Sequence, residues 1–218
     1  YRELEEAIRL DRLKAEDLEL EPPEKRGVLA KLPCTRSQLF TYQILEPAYI
    51  QPAEERPVID LGFTVLIQSE IKGIRVKQGD IIESVKSGDR YSFKHSDAAK
   101  KELYTYKALV ERVVDADTIW LNIDLGFDCW IRQKVRLNAI DTPELFTKKG
   151  EDAKKFVEAR LKEANFVIIK THKSDKYDRY LADVFYQSDE QSPQTVLEQG
   201  TFLNQELLDL GLAQRGAH

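Results

Sequence analysis

Polar and apolar residues alternate at short range through the second half of the chain. This pattern predicts strands over residues 106–114, 117–123, 129–138, 166–171 and 180–186. Residues 151–164 switch to a helical period, with Ala153, Phe156, Val157, Leu161 and Ala164 on one apolar face and Lys, Arg and Glu covering the rest. A further helix is expected to follow Asn204, a residue suited to capping an N-terminus, and to stop at Gly211. Strand-strand-strand-helix-strand-strand-helix is the order of an OB-type barrel. The expected fold class is therefore α+β, mainly β: a five-stranded OB-fold barrel with two or three helices.

The first half is patterned differently. Leu4, Ile8, Leu10 and Leu13 recur among dense charge up to Pro22-Pro23, which predicts an amphipathic helix with one apolar stripe. Its expected role is packing on the domain behind it or on a second copy, so a homodimer through the N-terminal region is one expected assembly. After a Pro-containing connector, Leu39-Phe-Thr-Tyr-Gln-Ile-Leu45 leads to Ile59-Asp-Leu-Gly-Phe63. The framework returns 64 residues later as Leu103-Tyr-Thr-Tyr-Lys-Ala-Leu109 leading to Ile123-Asp-Leu-Gly-Phe127. Ten of 29 aligned positions, from Leu39 to Ile67 and from Leu103 to Ile131, are identical. Chance would give about two at average residue frequencies, so an internal duplication is the better account. The copies differ between their anchors: Asp115 and Asp117 of the second stand where the first has Gln51 and Ala53. Strands are also expected near 58–68, 79–85 and 90–94. The expected domains are an N-terminal helix (1–26), a degenerate β-rich partial copy (27–100) and a complete barrel (101–218).

With 42% hydrophobic and 33% charged residues, a chain of 218 residues can bury a real core. It has no apolar run of about 18 residues, so no membrane-spanning helix is expected. The chain opens at Tyr1 rather than a methionine, which leaves a removed signal peptide open; a cytoplasmic location is favoured and secretion stays open. Cys34 and Cys129 lie far apart without metal-type spacing, and His95, His172 and His218 are scattered singly, so neither a zinc site nor a disulfide framework is signalled. The net charge of −5 hides an uneven distribution. Residues 1–26 carry −3 and 181–218 carry −5, whereas 130–180 hold 13 Lys/Arg against 8 Asp/Glu, or +5. That central segment could steer a polyanion despite the acidic total.

Candidate chemistry gathers in the same segment. Asp117 and Asp141 sit in Asp115-Ala-Asp-Thr118 and Ile140-Asp-Thr-Pro-Glu144, at loop edges that could converge across adjacent strands. Two carboxylates completed by a backbone carbonyl and water suit Ca²⁺ or Mg²⁺ rather than zinc. Either sequence alone is an ordinary turn. Arg136, five residues before Asp141, Glu144, three after it, and Arg179, at the end of Asp175-Lys-Tyr-Asp-Arg179, turn the pair into a set. Phosphodiester hydrolysis needs a positioned water, a neutralised phosphate and stabilisation of charge on five-coordinate phosphorus; metal and guanidinium groups supply these. Arginine suits phosphate because its planar fork donates two parallel hydrogen bonds.

Four motifs in register, from about Tyr106 to Gln214, resemble the staphylococcal nuclease (thermonuclease) family: Val114-Asp-Ala-Asp-Thr118, Val135-Arg-Leu137 with Ile140-Asp-Thr-Pro-Glu144, Asp175-Lys-Tyr-Asp-Arg179, and Leu203-Asn-Gln-Glu-Leu207 with Gly211-Leu-Ala213. The resemblance implies a calcium-dependent endonuclease that cleaves DNA and RNA with little sequence preference and leaves 3′-phosphate ends. It implies Asp117, Asp141 and the Thr142 carbonyl as Ca²⁺ ligands, and Arg136 and Arg179 as phosphate clamps. Glu144 would hold or activate the attacking water, Lys176 and Tyr177 would contact the terminal-phosphate side, and Lys148 and Lys149 would grip substrate.

The chain departs from the family pattern at three places. Ala116 and Asp178 stand where glycine is usual, and a positive φ at position 116 would cost alanine about 1 kcal/mol. The loop after Glu144 is short, with Lys148-Lys149 its main basic feature. The tyrosine-containing stretch on which family members stack a base is not within residues 1–218. The competing expectation is a nucleic-acid- or protein-binding module, like the catalytically silent repeats of multi-repeat proteins such as Tudor staphylococcal nuclease. The first copy fits that description, while the second keeps every acid and arginine the chemistry needs.

Overall fold

The structure, a computed structural model, describes residues 31–46, 56–174 and 180–216, without the side chains of 173 and 174. The expected N-terminal helix lies outside the described residues, and so does any assembly through it. Two compact units divide the chain: the described parts of one are 31–34, 108–122, 132–174 and 180–216, and those of the other are 35–46, 56–107 and 123–131. No helix among the described residues is long and apolar enough to cross a membrane.

The smaller unit is built on an antiparallel sheet of five strands, β1 (Thr41–Leu45), β2 (Val58–Gly62), β3 (Val65–Gln68), β4 (Ile81–Ser87) and β5 (Arg90–His95), in the order β3-β2-β1-β4-β5. The stretch 58–68 is a hairpin, because Gly62, Phe63 and Thr64 take the left-handed conformation and turn the chain. Tyr42, Ile44, Ile59, Leu61 and Ile82 form one buried side of the sheet.

The duplicated residues meet each other in this unit. Tyr42 donates its hydroxyl to the Leu125 carbonyl at 2.9 Å, and its counterpart Tyr106 donates to the Leu61 carbonyl at 2.8 Å. The rings pack the same way: Tyr42 lies 5.3 Å from Phe127, and Tyr106 lies 5.4 Å from Phe63. Asp60 accepts from the Gly62 amide at 2.8 Å, and Asp124 from the Gly126 amide at 2.9 Å. Both glycines sit at φ +82°, and a Cβ would meet the visiting tyrosine oxygen at 2.0 Å (Gly62) or 2.1 Å (Gly126). Glycine is thus required twice over, by backbone conformation and by close approach. The identities shared by the copies, Tyr and Asp-Leu-Gly-Phe, are the residues of this reciprocal contact.

After a short 3-10 turn (Lys100–Glu102), the chain enters β6 (Thr105–Asp115), β7 (Thr118–Asp124) and β8 (Trp130–Leu137), whose residues are divided between the two units. A two-residue strand, β9 (Ile140–Asp141), precedes helix α1 (Lys148–Lys162). Then come β10 (Val167–Ser174), β11 (Tyr180–Tyr186), α2 (Pro193–Gln199), β12 (Thr201–Phe202), α3 (Leu203–Asp209) and β13 (Gln214–Arg215). The sheet order β10-β6-β7-β8-β11-β12, with β10 also paired to β11, closes five strands into the expected OB-type barrel. The closing pair β8–β11 is parallel, with Leu181 opposite Arg136. Ala108, Ile119, Leu121, Val135, Leu137, Val167, Ile169 and Val184 are all buried to 1% exposure or less, which is the alternation that predicted the strands.

Two helical expectations are corrected. Helix α1 begins at Lys148, three residues earlier than its apolar period suggested, because the Thr147 hydroxyl accepts from the Gly150 amide and caps it. Lys148 and Lys149 are therefore in the first helical turn, not in a loop. The last helix begins at Leu203, so Asn204 is inside it and is no N-cap. Helix α2 was not anticipated; Ser192 caps it ahead of Pro193.

Tyr42→Phe and Tyr106→Phe should each lower stability by about 1 kcal/mol in urea unfolding at neutral pH, the worth of one hydrogen bond to a buried carbonyl. Burial holds the Tyr42 hydroxyl well above the ordinary tyrosine value. A folded-state pKa above the unfolded one gives stability that is fully present below about pH 10 and is lost as pH rises. The Tyr42→Phe deficit should accordingly shrink when unfolding is repeated above about pH 10.

Candidate active site

The first acidic residue comes from the tight β6–β7 turn. Ala116 and Asp117 form that turn, and Ala116, buried to 2% exposure, does not adopt a positive φ, so the substitution for glycine there carries no left-handed strain. The Asp117 carbonyl accepts from the Leu137 amide at 2.7 Å and ties the turn to the end of β8. Its carboxylate is almost fully buried and accepts from the Thr118 hydroxyl at 2.9 Å, with a longer 3.4 Å approach from the Thr142 amide.

Arg136 points outward from β8, between the buried neighbours Val135 and Leu137. One terminal nitrogen of its guanidinium lies 2.8 Å from Asp117 Oδ2 and also bonds Asp141 Oδ1. Three residues expected to act together are thus brought together. Asp141 is presented by β9, which β13 holds in register through Gln214 opposite Asp141 and Arg215 opposite Ile140. Two carboxylates within hydrogen-bonding reach of the same nitrogen can also share one small cation, and their hard oxygens fit Ca²⁺ or Mg²⁺. No group of three or more His, Cys, Asp or Glu that could hold a metal exists among the described residues. A cation here would need the Thr142 carbonyl and waters to complete its shell.

Glu144 follows in a pinned turn. Its carbonyl accepts from both the Thr147 amide (3.0 Å) and the Thr147 hydroxyl (2.8 Å), and a Cβ at Gly150 would lie only 2.1 Å from that same carbonyl oxygen. The start of α1 is therefore pressed onto the Glu144 backbone. The Glu144 side chain is exposed and has no hydrogen-bond partner among the described residues. Lys148 and Lys149 are exposed on the first turn of α1, two residues beyond Phe146, which is 95% exposed. Lys176, Tyr177 and Arg179 lie outside the described residues. Arg179 immediately precedes Tyr180, whose β-partner Val135 is next to Arg136.

A polar network that the sequence reading missed stands behind the site. Asn204 has no exposed surface; it accepts from the Val184 amide at 3.1 Å and donates to the carbonyls of Asn138 and Ala182, both at 3.0 Å. Asn138 in turn donates to Asp183 at 3.1 Å, and the other Asp183 oxygen meets His172 Nε2 at 3.0 Å. Asn138 and Ala139 form the turn between Arg136-Leu137 and Ile140-Asp141, with Ala139 at φ 60°. The network thus fixes the link between the site's arginine and its second aspartate. Its signal in the sequence was a polar residue amid Leu203, Leu207 and Leu208, which reads equally well as a cap.

Residues 134–217 match the model of a family described as staphylococcal nuclease homologue. The matched segment contains Arg136, Asp141, Thr142, Glu144 and Asn204 and begins after Asp117. An uncharacterized protein of Methanocaldococcus jannaschii is 30% identical over 105 residues, covering 37% of this chain and 48% of that protein. The chain thus spans about half the length of the curated relative it matches.

Asn204→Ala removes three hydrogen bonds and leaves buried backbone groups unpaired. It should destabilise the protein by about 2–4 kcal/mol in denaturant unfolding, far more than a surface Asn→Ala.

Proposed function

We propose, for a chain whose residues 134–217 form a staphylococcal nuclease homologue domain, that it is a calcium-dependent phosphodiesterase. It hydrolyses DNA and/or RNA with low sequence specificity and leaves 3′-phosphate ends. The observation that carries this reading is one guanidinium, that of Arg136, bonded to both Asp117 and Asp141, with the exposed Glu144, whose side chain has no hydrogen-bond partner among the described residues, three residues beyond Asp141.

Asp117, Asp141 and the Thr142 carbonyl would hold the cation. When bound, Ca²⁺ supplies a Lewis acid that draws charge from a phosphoryl oxygen and eases deprotonation of nearby water. Arg136, one of whose terminal nitrogens bonds both carboxylates, would offer its guanidinium fork to a phosphate, and Arg179 would clamp the phosphate with it. Glu144 orients a water in line with the phosphorus and accepts its proton as the oxygen attacks. The bond from phosphorus to the 5′ oxygen breaks, the 5′ oxygen leaves with a proton from solvent, and the phosphate stays on the 3′ side. Lys148 and Lys149 add positive charge beside the first turn of α1, where the helix dipole is also positive. Nothing in this set reads a base edge, which accounts for low sequence preference.

Purified protein should cleave single-stranded DNA or RNA with Ca²⁺ and not with chelator. Arg136→Ala and Glu144→Ala should each slow cleavage by about 100-fold or more, the usual effect of losing a transition-state donor or a general base. A folded wild-type chain that binds oligonucleotide yet cleaves nothing under Ca²⁺ or Mg²⁺ would instead make it a binding module.

A further inference from the structure

The outer face of β8 carries a line of positive charge away from the site. Val135 and Leu137 are fully buried in the barrel, so the alternate residues Arg132, Lys134 and Arg136 share the opposite face. On the neighbouring strand β7, Ile119 and Leu121 point inward and Trp120 is turned outward between them. The Arg132 guanidinium lies over the Trp120 ring, 4.0 Å from its centroid, and the Lys134 ammonium is 5.9 Å from the same centroid.

These three groups are not equivalent. Glu111 holds Arg132 by a two-bond fork at 2.6 and 2.7 Å, which ties the guanidinium in place over the indole and raises its pKa. Arg136 is occupied by Asp117 and Asp141. Lys134, between these two cations, has no carboxylate partner among the described residues. A cation flanked by cations and left without an acid is a position that a polyanion would complete. Alternate residues of a strand recur about every 6.5 Å, an interval comparable to that between phosphates of an extended nucleic-acid strand. An indole with a guanidinium over it is, in addition, a surface on which an unpaired base can stack. β7 and β8 are the second and third strands of this barrel, the face on which OB-type barrels take oligonucleotides.

We propose that Trp120, Arg132 and Lys134 form a track for a single-stranded nucleic acid whose reacting phosphate sits at Arg136. The track rests on the nuclease reading of the site and adds a binding surface outside the residues that do chemistry. Lys134 takes a phosphate, and the Arg132–Trp120 pair takes a base; a duplex, with its bases inside, would gain only the phosphate contacts. The occupant is therefore a single strand of DNA or RNA.

The test uses the full chain in chelator, so that nothing is cut, with a fluorescent single-stranded oligonucleotide and a blunt duplex of the same length. Lys134→Glu should weaken single-strand binding about 10-fold or more at low salt and lower the slope of log affinity against log salt by about one. Trp120→Leu should weaken it about 5- to 10-fold with little change in that slope. Lys155→Glu, an equal charge change on the exposed side of α1, should stay within about twofold. With Ca²⁺, the losses at Lys134 and Trp120 should appear in KM for a long oligonucleotide rather than in kcat. Circular dichroism melting confirms that each variant is folded. The track is refuted if the wild type cleaves but folded Lys134→Glu and Trp120→Leu keep wild-type affinity and KM, or if duplex binds as tightly as the single strand; the nuclease reading survives either result. A wild type that neither binds nor cleaves overturns that reading and the track with it.

Discussion

The arrangement turns on one shared guanidinium. Arg136 bonds two carboxylates that reach it from different elements: Asp117 from the β6–β7 turn and Asp141 from the short strand β9. Asp117 and Arg136 are both largely withdrawn from water, and an ionised group in such a place is tolerated only with a close partner. The barrel therefore has to place turn, strand and following segment together. It does so through the Asp117 carbonyl on Leu137, through Asn204 beneath the Asn138–Ala139 turn, and through β13 alongside β9. A packed pair of charges with hard oxygens is also the chemistry that a divalent cation and a phosphate can take over.

The duplication has a physical rationale of its own. In sequence, the first copy has Gln51 and Ala53 where the second has Asp115 and Asp117, so the two copies do not share these carboxylates. What both copies keep is a tyrosine aimed at the other copy's Leu-Gly turn, with two glycines that admit the ring and two aspartates that hold the turns. Each tyrosine satisfies a buried carbonyl that would otherwise be costly. Loss of either half would strand the other, which is reason enough for these identities to persist while the intervening residues diverged.

Much of this was legible in the amino-acid sequence. Alternation located the barrel strands to within a few residues because each strand has one face in the core, and Ala153, Phe156, Val157 and Leu161 do form the buried face of α1. Asp117, Arg136 and Asp141 could be grouped as candidates from motif spacing, but their shared contact could not, since it depends on how a turn and a two-residue strand meet in space. Asn204 was misread as a cap because side-chain chemistry is the same for a cap and for a buried cross-link; only burial separates them. Position 116 raised a concern about strain that the backbone does not bear out, as the turn there needs no left-handed residue. The reciprocal tyrosines were visible as repeat identities, yet no sequence pattern says that one copy's residue answers the other's.

Calorimetric titration of Ca²⁺ into the intact protein, with Asp117→Asn, Asp141→Asn and Arg136→Ala alongside, tests the central claim most directly. The account predicts one Ca²⁺ per chain, binding that is lost in each aspartate variant, and tighter binding in Arg136→Ala, where the competing guanidinium is gone. Ca²⁺ uptake that is absent from the folded wild type, or unchanged by both aspartate substitutions, would contradict it.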